Sequence, residues 1–123
     1  MTVAIQGFGN AGAYFGKIAE KAGYKIVAAS DSKGGILSEE GPFDVNRIQE
    51  MKDEAGSFQG YFCEGETCDA AKMKNEKASI ISNDEILELD VDVLVLAALD
   101  GAIHEGNAKN IKASILLELA NGP

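Results

Sequence analysis

Three glycines near the start of the sequence have the spacing of an anion-binding turn. The segment reads Gly7-Phe8-Gly9-Asn10-Ala11-Gly12, which fits the pattern G-x-G-x-x-G. In such a turn the first glycine permits the bend, the second lets the backbone approach a pyrophosphate, and the third lets a helix pack near the preceding strand. Backbone N–H groups and the positive end of the helix dipole then bind the anion without basic side chains. No acidic residue precedes Glu20 to oppose it.

An acidic residue follows the turn at the distance expected for a dinucleotide site. Asp31 lies 19 residues after Gly12, at the end of a second apolar run. In this position an acid binds the adenosine ribose hydroxyls, which slightly favours NAD over NADP. Ser32, next to it, is a second candidate contact, and Ser30, Ser32 and Lys33 could also accommodate the 2′-phosphate of NADP. The alternative is that Asp31 is only a turn residue.

Phe8, within the glycine turn, has two possible roles. Its side chain either shields the pyrophosphate or packs beneath it.

The rest of the chain alternates between strand and helix patterns. We predict five strands, at 2–6, 25–30, 78–81, 91–96 and 114–118. Three helices are predicted at 10–22, 44–55 and 103–111. Residues 56–77 show no clean periodicity and are predicted to form a long surface excursion. Ser82 and Glu85 form a capping-box pattern that begins a further short helix. This order predicts an α/β fold, a three-layer, doubly wound, mainly parallel sheet of the Rossmann type, with strand order 3-2-1-4-5. On the first helix, the expected apolar face consists of Ala11, Phe15, Ile18, Ala19 and Ala22. Tyr14 and Phe15 are expected to be packing residues and not cofactor contacts.

Composition narrows the possible partners. Eleven basic and 20 acidic residues give a net charge of −9, which disfavours nucleic acid and anionic membranes. With no apolar run of bilayer length and no signal peptide, we expect a cytoplasmic protein. The 123 residues fit one domain, 1–123. Because the chain begins and ends directly on strands, we expect a piece of a longer protein.

Few other side chains suggest chemistry. Cys63 and Cys68 are the two cysteines, and we expect free thiols, with a disulfide or a shared metal less favoured. The single histidine, His104, has no evident catalytic partner. Glu118 either approaches the nicotinamide or simply ends the last strand. We assign no catalytic residue and no metal ligand.

Several ordered motifs resemble one enzyme family. They are QGFGN at 6–10, SDSKGGI at 30–36, LELDVDVL at 87–94 with AAL at 97–99, and ANGP at 120–123. Together they resemble the cofactor domain of the glutamate, leucine, phenylalanine and valine dehydrogenases, with the glutamate-specific enzymes the nearest match. The resemblance covers nearly the whole chain.

The resemblance implies NAD(P)-dependent oxidative deamination of an amino acid. In that family the catalytic Lys and Asp belong to a separate N-terminal domain, so this chain would bind the cofactor but meet the amino acid only together with that domain. The full-length enzyme would be a homo-hexamer. The resemblance adds Ala97, Ala98 and Asn121 as contacts towards the nicotinamide.

Three departures from the family pattern lie towards the nicotinamide end. Leu96 replaces a usual Pro, Asp100-Gly101 replaces Glu-Asn, and Leu119 replaces a common Gly. They indicate either that the full-length enzyme is divergent or that it binds the nicotinamide more weakly. A nucleotide-sensing regulatory domain without catalysis is the alternative function; a methyltransferase is disfavoured by Asn10 and the later motifs.

Overall fold

A computed structural model describes residues 1–97 and 110–119 of the chain. The described elements, in chain order, are β1 Thr2–Gln6, α1 Asn10–Lys21, β2 Lys25–Asp31, β3 Gly34–Ser38, α2 Val45–Ala55, α3 Phe58–Phe62, β4 Cys63–Glu64, β5 Thr67–Cys68, α4 Ala70–Glu76, β6 Ala78–Ile81, α5 Asn83–Leu87, β7 Val93–Leu96 and β8 Ile115–Glu118. The predicted helix at 103–111 falls mostly outside the described residues. None of the described helices has the length and apolar character needed to cross a bilayer.

Six strands form the main sheet, in the order β6-β3-β2-β1-β7-β8. The pairs β1–β2, β1–β7 and β7–β8 are parallel, while β3 is antiparallel to both β2 and β6. The five predicted strands are all present, and their relative succession agrees with the prediction. The order 3-2-1-4-5 is nevertheless incomplete, because β3 stands between the second and third predicted strands. It escaped prediction because Gly34 and Gly35 read as a turn.

Gly35 explains how β3 fits against β2. A Cβ at this position would lie 2.8 Å from the Ala29 carbonyl oxygen and 2.8 Å from the Ser30 Cβ. These distances are too short for any side chain, so glycine allows the two strands to lie this close. The apolar pair Ile36-Leu37 directly after the two glycines was the available sequence signal for the extra strand.

Helices cover both faces of the sheet, as a doubly wound fold requires. One face buries Val3, Ile5 and Ile36 against α1, α2 and α3; the other buries Ala4, Ala28 and Leu94 against α5. Strand β8 is an edge strand whose Ile115, Leu116 and Leu117 are exposed.

The buried side of α1 agrees only in part with the predicted one: Ala19 is buried and Phe15 packs against the core. This side consists of Gly12, Ala13, Gly16 and Ala19, whereas Ala11, Ile18 and Ala22 are exposed. Tyr14, expected to pack, is 69% exposed. A Cβ on Gly16 would lie 3.2 Å from Ile5 Cδ1, so the small residues face the sheet because the helix lies very close to it.

Local signals placed the helix ends well. Gly23, with φ of 96°, follows α1 as the predicted helix stop. Asp44 caps α2 through Asn46 N, and the predicted capping box of Ser82 and Glu85 begins α5. These contacts depend on neighbouring residues alone, so the sequence suffices to predict them.

The predicted surface excursion over 56–77 was wrong. It contains α3, the β4–β5 hairpin and α4. Cys63 and Cys68 are opposite each other in the hairpin and form a disulfide, so the expectation of free thiols was also wrong. Gly65, with φ of 64°, occupies the first central position of the turn, where glycine is favoured in two-residue hairpins.

Arg47 ties this region to the rest of the fold. Its guanidinium donates from Nε to Glu76 Oε1 at 3.2 Å and from Nη2 to Glu76 Oε2 at 2.5 Å, which joins α2 to α4. Nη2 also donates to the hydroxyl of Tyr61 in α3 at 2.8 Å. The hydrogen bonds with Glu76 raise the pKa of Arg47 above its already high value.

Candidate dinucleotide-binding site

The glycine turn connects β1 to α1 and divides into a buried part and an open part. Gly7 has φ of 91°, which only glycine adopts readily, and its N–H donates to the Ser30 carbonyl oxygen at 3.0 Å. A Cβ on Gly12 would lie 2.3 Å from the Gly7 carbonyl oxygen, so Gly12 must lack a side chain for α1 to begin here. A Cβ on Gly9, by contrast, would have no neighbour within 4 Å. The space beside Gly9 is therefore free for a ligand to approach the backbone.

The start of α1 is exposed from Gly9 to Ala11, and its first turn carries no negative charge. Gly9 is the N-cap residue, and no side chain caps the helix. Asn10 and Ala11 are exposed, and the first turn contains no acidic residue. Such a helix start leaves backbone N–H groups available to an anion.

Phe8 packs beneath the turn and does not cover its open side. Its side chain is 1% exposed, and its ring centroid lies 5.6 Å from that of Phe58 in α3. Its N–H donates to the Ser30 carbonyl oxygen at 2.6 Å. Of the two roles considered for Phe8, the structure supports packing.

Asp31 is largely buried, and backbone groups occupy both of its carboxylate oxygens. Oδ1 accepts a hydrogen bond from Lys33 N at 2.9 Å, which closes the turn between β2 and β3. Oδ2 accepts one from Phe58 N at 2.9 Å, which fixes the start of α3. Asp31 therefore has a structural role whether or not it binds a ribose. A carboxylate oxygen can accept more than one hydrogen bond, so a ribose hydroxyl remains compatible with these contacts.

Two polar side chains lie together near the carboxyl ends of β1 and β2. Gln6 and Ser30 are partners in the strand register. Among the described residues, Gln6 Oε1 and Ser30 Oγ are buried and have no hydrogen-bond partner. Buried polar atoms are ordinarily satisfied, so a ligand or an ordered water is expected close by. In open α/β sheets ligands bind at this edge. Ser32 and Lys33, which follow, are exposed.

Lys52 is a contact that the sequence analysis missed. It lies in the last turn of α2, and its Nζ donates to the Phe8 carbonyl oxygen at 2.9 Å. The only available signal was its position four residues after the buried Ile48, at the border of the apolar face of α2.

The nicotinamide end of the predicted site is only partly described. Ala97 follows β7, and its N–H donates to the Gln6 carbonyl oxygen at 2.8 Å, which places it beside the end of β1. Ala98 and Asn121 lie outside the described residues, as do His104 and the Asp100-Gly101 departure. Of the two described departures, Leu96 is buried and Leu119 is partly buried, and both pack in the core clusters.

A separate surface groove lies away from the turn. Its volume is about 570 Å³, and it is lined by residues of α3, the β4–β5 hairpin and the start of α4. It shares no residue with the glycine turn. The groove is open and exposed, whereas the turn combines backbone donors with free space, so the turn is the better candidate for binding a dinucleotide.

Comparison with known proteins identifies the family. The model of the Glutamate/Leucine/Phenylalanine/Valine dehydrogenase family matches residues 1–123. This chain belongs to that family. Within the family, the chain is similar to a glutamate dehydrogenase of Thermotoga maritima, with 48% identity over 99% of this chain and 26% of the relative. It is 43% identical to an NADP-specific glutamate dehydrogenase of Synechocystis, over 99% of this chain and 27% of that protein.

Solved dehydrogenase structures share the fold. The hetero-hexameric glutamate dehydrogenase of Thermus thermophilus superposes with a TM-score of 0.76 and 29% identity, covering 98% of this chain and 24% of that one. This family chain therefore spans about a quarter of the length of the relatives it matches.

Proposed function

We propose that this chain is the dinucleotide-binding domain of an amino-acid dehydrogenase, corresponding to the C-terminal domain of the longer enzymes. In the full-length protein it would serve the NAD(P)-dependent oxidative deamination of L-glutamate to 2-oxoglutarate and ammonia. The observation that carries the proposal is the free space at Gly9 beside the exposed, uncapped start of α1, in a chain of this family. Family membership favours this role over a sensor without catalysis.

The proposed contacts divide along the dinucleotide. The backbone of 7–12 would bind the pyrophosphate, with Phe8 holding the turn from below. Asp31 and Ser32 would contact the adenosine ribose, and Ala97, Ala98 and Asn121 would line the nicotinamide end. When bound, the cofactor would supply the hydride acceptor for the oxidation of the amino acid. The residues of this chain orient the cofactor, while the proton-transfer groups belong to the other domain.

The cofactor is proposed to be NAD or NADP, with NAD slightly favoured. Asp31 would disfavour a 2′-phosphate by charge repulsion, but its carboxylate already accepts two backbone hydrogen bonds. The exposed Ser32 and Lys33 could receive a phosphate. One similar enzyme is described as NADP-specific, so both cofactors belong in the test.

Titration of the chain with NAD⁺, NADP⁺ and ADP-ribose tests the proposal. A ligand that binds only the native state raises stability by about 2.7 kcal/mol at 100 times its dissociation constant, which a thermal melt detects. Gly9→Ala is the matched variant. It fills the free space without a clash, so it should shift the melting temperature only slightly and weaken ADP-ribose binding by at least about tenfold. If no dinucleotide shifts the melting temperature at millimolar concentration, the binding proposal is wrong.

A second assay concerns catalysis. Hydride transfer requires substrate and cofactor held together in reacting geometry, and the proposed substrate-binding groups lie in another domain. The purified chain should therefore bind the dinucleotide and yet produce no glutamate-dependent NADH. Glutamate-dependent NADH production by the chain alone would contradict this division of labour.

A further inference from the structure

We propose that Lys52 positions the glycine turn and supplies the positive charge that helps it hold a pyrophosphate. The inference rests on the proposed function, because it names a residue of that same site. The observation behind it is the hydrogen bond from Lys52 Nζ to the Phe8 carbonyl oxygen at 2.9 Å, across 44 positions of sequence.

The contact places an ammonium group directly against the turn. Phe8 immediately precedes Gly9, whose backbone borders the free space. The Phe8 ring below and its N–H bond to Ser30 hold the same residue from two other sides. Lys52 completes this set, so the orientation of the peptide between Phe8 and Gly9 depends on it.

The helix that carries Lys52 is bonded to α1 at its start and packed in the core along its length. At its start, Val45 N donates to Glu20 Oε2 at 3.0 Å. Along its length, Val45, Ile48 and Met51 are buried in the core. The lysine is thus presented from a rigid element, which is what holding a ligand-binding turn requires.

Within residues 1–97 and 110–119, no carboxylate forms a salt bridge with Lys52. The chain as a whole carries a net charge of −9, which repels a dinucleotide at long range. A lysine at the turn opposes this repulsion where the two phosphates would lie, and its bond to a neutral carbonyl leaves its charge available to them.

Three substitutions separate charge from hydrogen bonding. Lys52→Gln keeps an N–H donor but removes the charge, Lys52→Arg keeps both, and Lys52→Met removes both. Lys25→Met is the matched control, because Lys25 is exposed at the opposite, amino end of β2. ADP-ribose affinity is measured by calorimetry at low and high NaCl concentration, together with the melting temperature of each variant.

We expect Lys52→Gln to weaken ADP-ribose binding by about 5- to 30-fold at low salt, as for loss of a charged partner. Its affinity should also depend less on salt, because one charge has been removed. Lys52→Arg should remain within about threefold of the parent chain and Lys25→Met within about twofold. Should Lys52→Met unfold, Lys52→Gln still gives the decisive comparison.

Two results would overturn the inference. One is a Lys52→Gln variant that binds ADP-ribose as tightly as the parent chain. The other is a loss of affinity that Lys52→Arg shares fully and that leaves the salt dependence unchanged, since a purely structural role would produce it. If the parent chain itself does not bind ADP-ribose, the proposed function fails and this inference with it, so the two failures are distinguishable.

Discussion

Asp31 Oδ2 accepts a hydrogen bond from the backbone N–H of Phe58 at 2.9 Å, although the two residues are 27 positions apart. The bond joins the end of β2, where a ribose is proposed to bind, to the start of α3. The Phe58 ring packs against Phe8, so the hydrogen bond also helps to hold the residue that lies beneath the glycine turn. The residue chosen from the sequence as a ligand contact is thus also part of the framework.

Replacement of Asp31 should therefore lower stability even without ligand. Asp31→Ala removes the acceptor for the Lys33 and Phe58 N–H groups, and the latter bond is buried. We expect a loss of about 2 to 4 kcal/mol in the free energy of unfolding, measured by urea denaturation. Asp53→Ala is the control, because Asp53 is exposed on α2 and should change stability by less than about 0.5 kcal/mol. Equal effects of the two substitutions would show that Asp31 has no structural role.

Gly12 and Gly9 should respond in opposite ways to the same methyl group. Gly12→Ala puts a Cβ 2.3 Å from the Gly7 carbonyl oxygen, and a backbone atom cannot move aside cheaply. We expect it to cost at least about 2 kcal/mol of stability, measured by urea denaturation without ligand. Gly9→Ala, which meets nothing within 4 Å, should change stability by less than about 1 kcal/mol. A Gly12→Ala variant as stable as Gly9→Ala would contradict the close packing of α1 on β1.

The disulfide should stabilise the hairpin region modestly. Cys63 and Cys68 are separated by 5 positions, so the closed loop is short and the entropy it removes from the unfolded chain is small. We expect the Cys63→Ser, Cys68→Ser double variant to lose about 2 kcal/mol or less. Mass spectrometry of the alkylated chain detects the bond, and a reductant should lower the melting temperature of the parent chain but not of the double variant. Complete alkylation of both thiols without reductant would show that the bond does not form.

Asp92 should make part of the stability depend on acid. Hydrogen bonds from the backbone N–H and the hydroxyl of Thr2 lower the pKa of Asp92 below its usual 3.8. Because the folded pKa is below the unfolded one, this stabilisation is complete above pH 3.8 and is lost as the pH falls through the folded pKa. Asp92→Asn should therefore flatten the decline of the urea midpoint below about pH 4.

Asp90→Asn is the control for that measurement, since Asp90 is exposed nearby. It should leave the acid dependence of the parent chain unchanged. If Asp90→Asn flattens the decline as much as Asp92→Asn does, the Thr2 contact is not the cause.

The parts of the fold that sequence predicted are those set by local pattern. The apolar run of β1, the glycine turn, the stop at Gly23 and the capping box at Ser82 each depend on residues within a few positions of one another. Their physical causes are therefore visible in the sequence.

The missed parts depend on distant contacts. Strand β3 forms because it pairs with β2 on one side and β6 on the other. The β4–β5 hairpin consists of strands too short to show a hydrophobic period. The face of α1 was misjudged because Gly12 and Gly16 permit close approach to the sheet, whereas apolar spacing alone does not count glycines as part of a buried face. Lys52 could not be linked to Phe8, because nothing in the sequence shows that the end of α2 reaches the turn.

The reversed strand β3 also has a consequence for how the molecule opens. Within the described residues, β6 is hydrogen-bonded to the sheet only through β3. Separation of β2 from β3 would release both strands together, while β1, β2, β7 and β8 stay paired. The amide protons of β3 and β6 would then exchange with solvent as one cooperative unit, ahead of those in the central parallel strands β1 and β2. Strands β3 and β6 would thus open independently of the part of the sheet that carries the glycine turn.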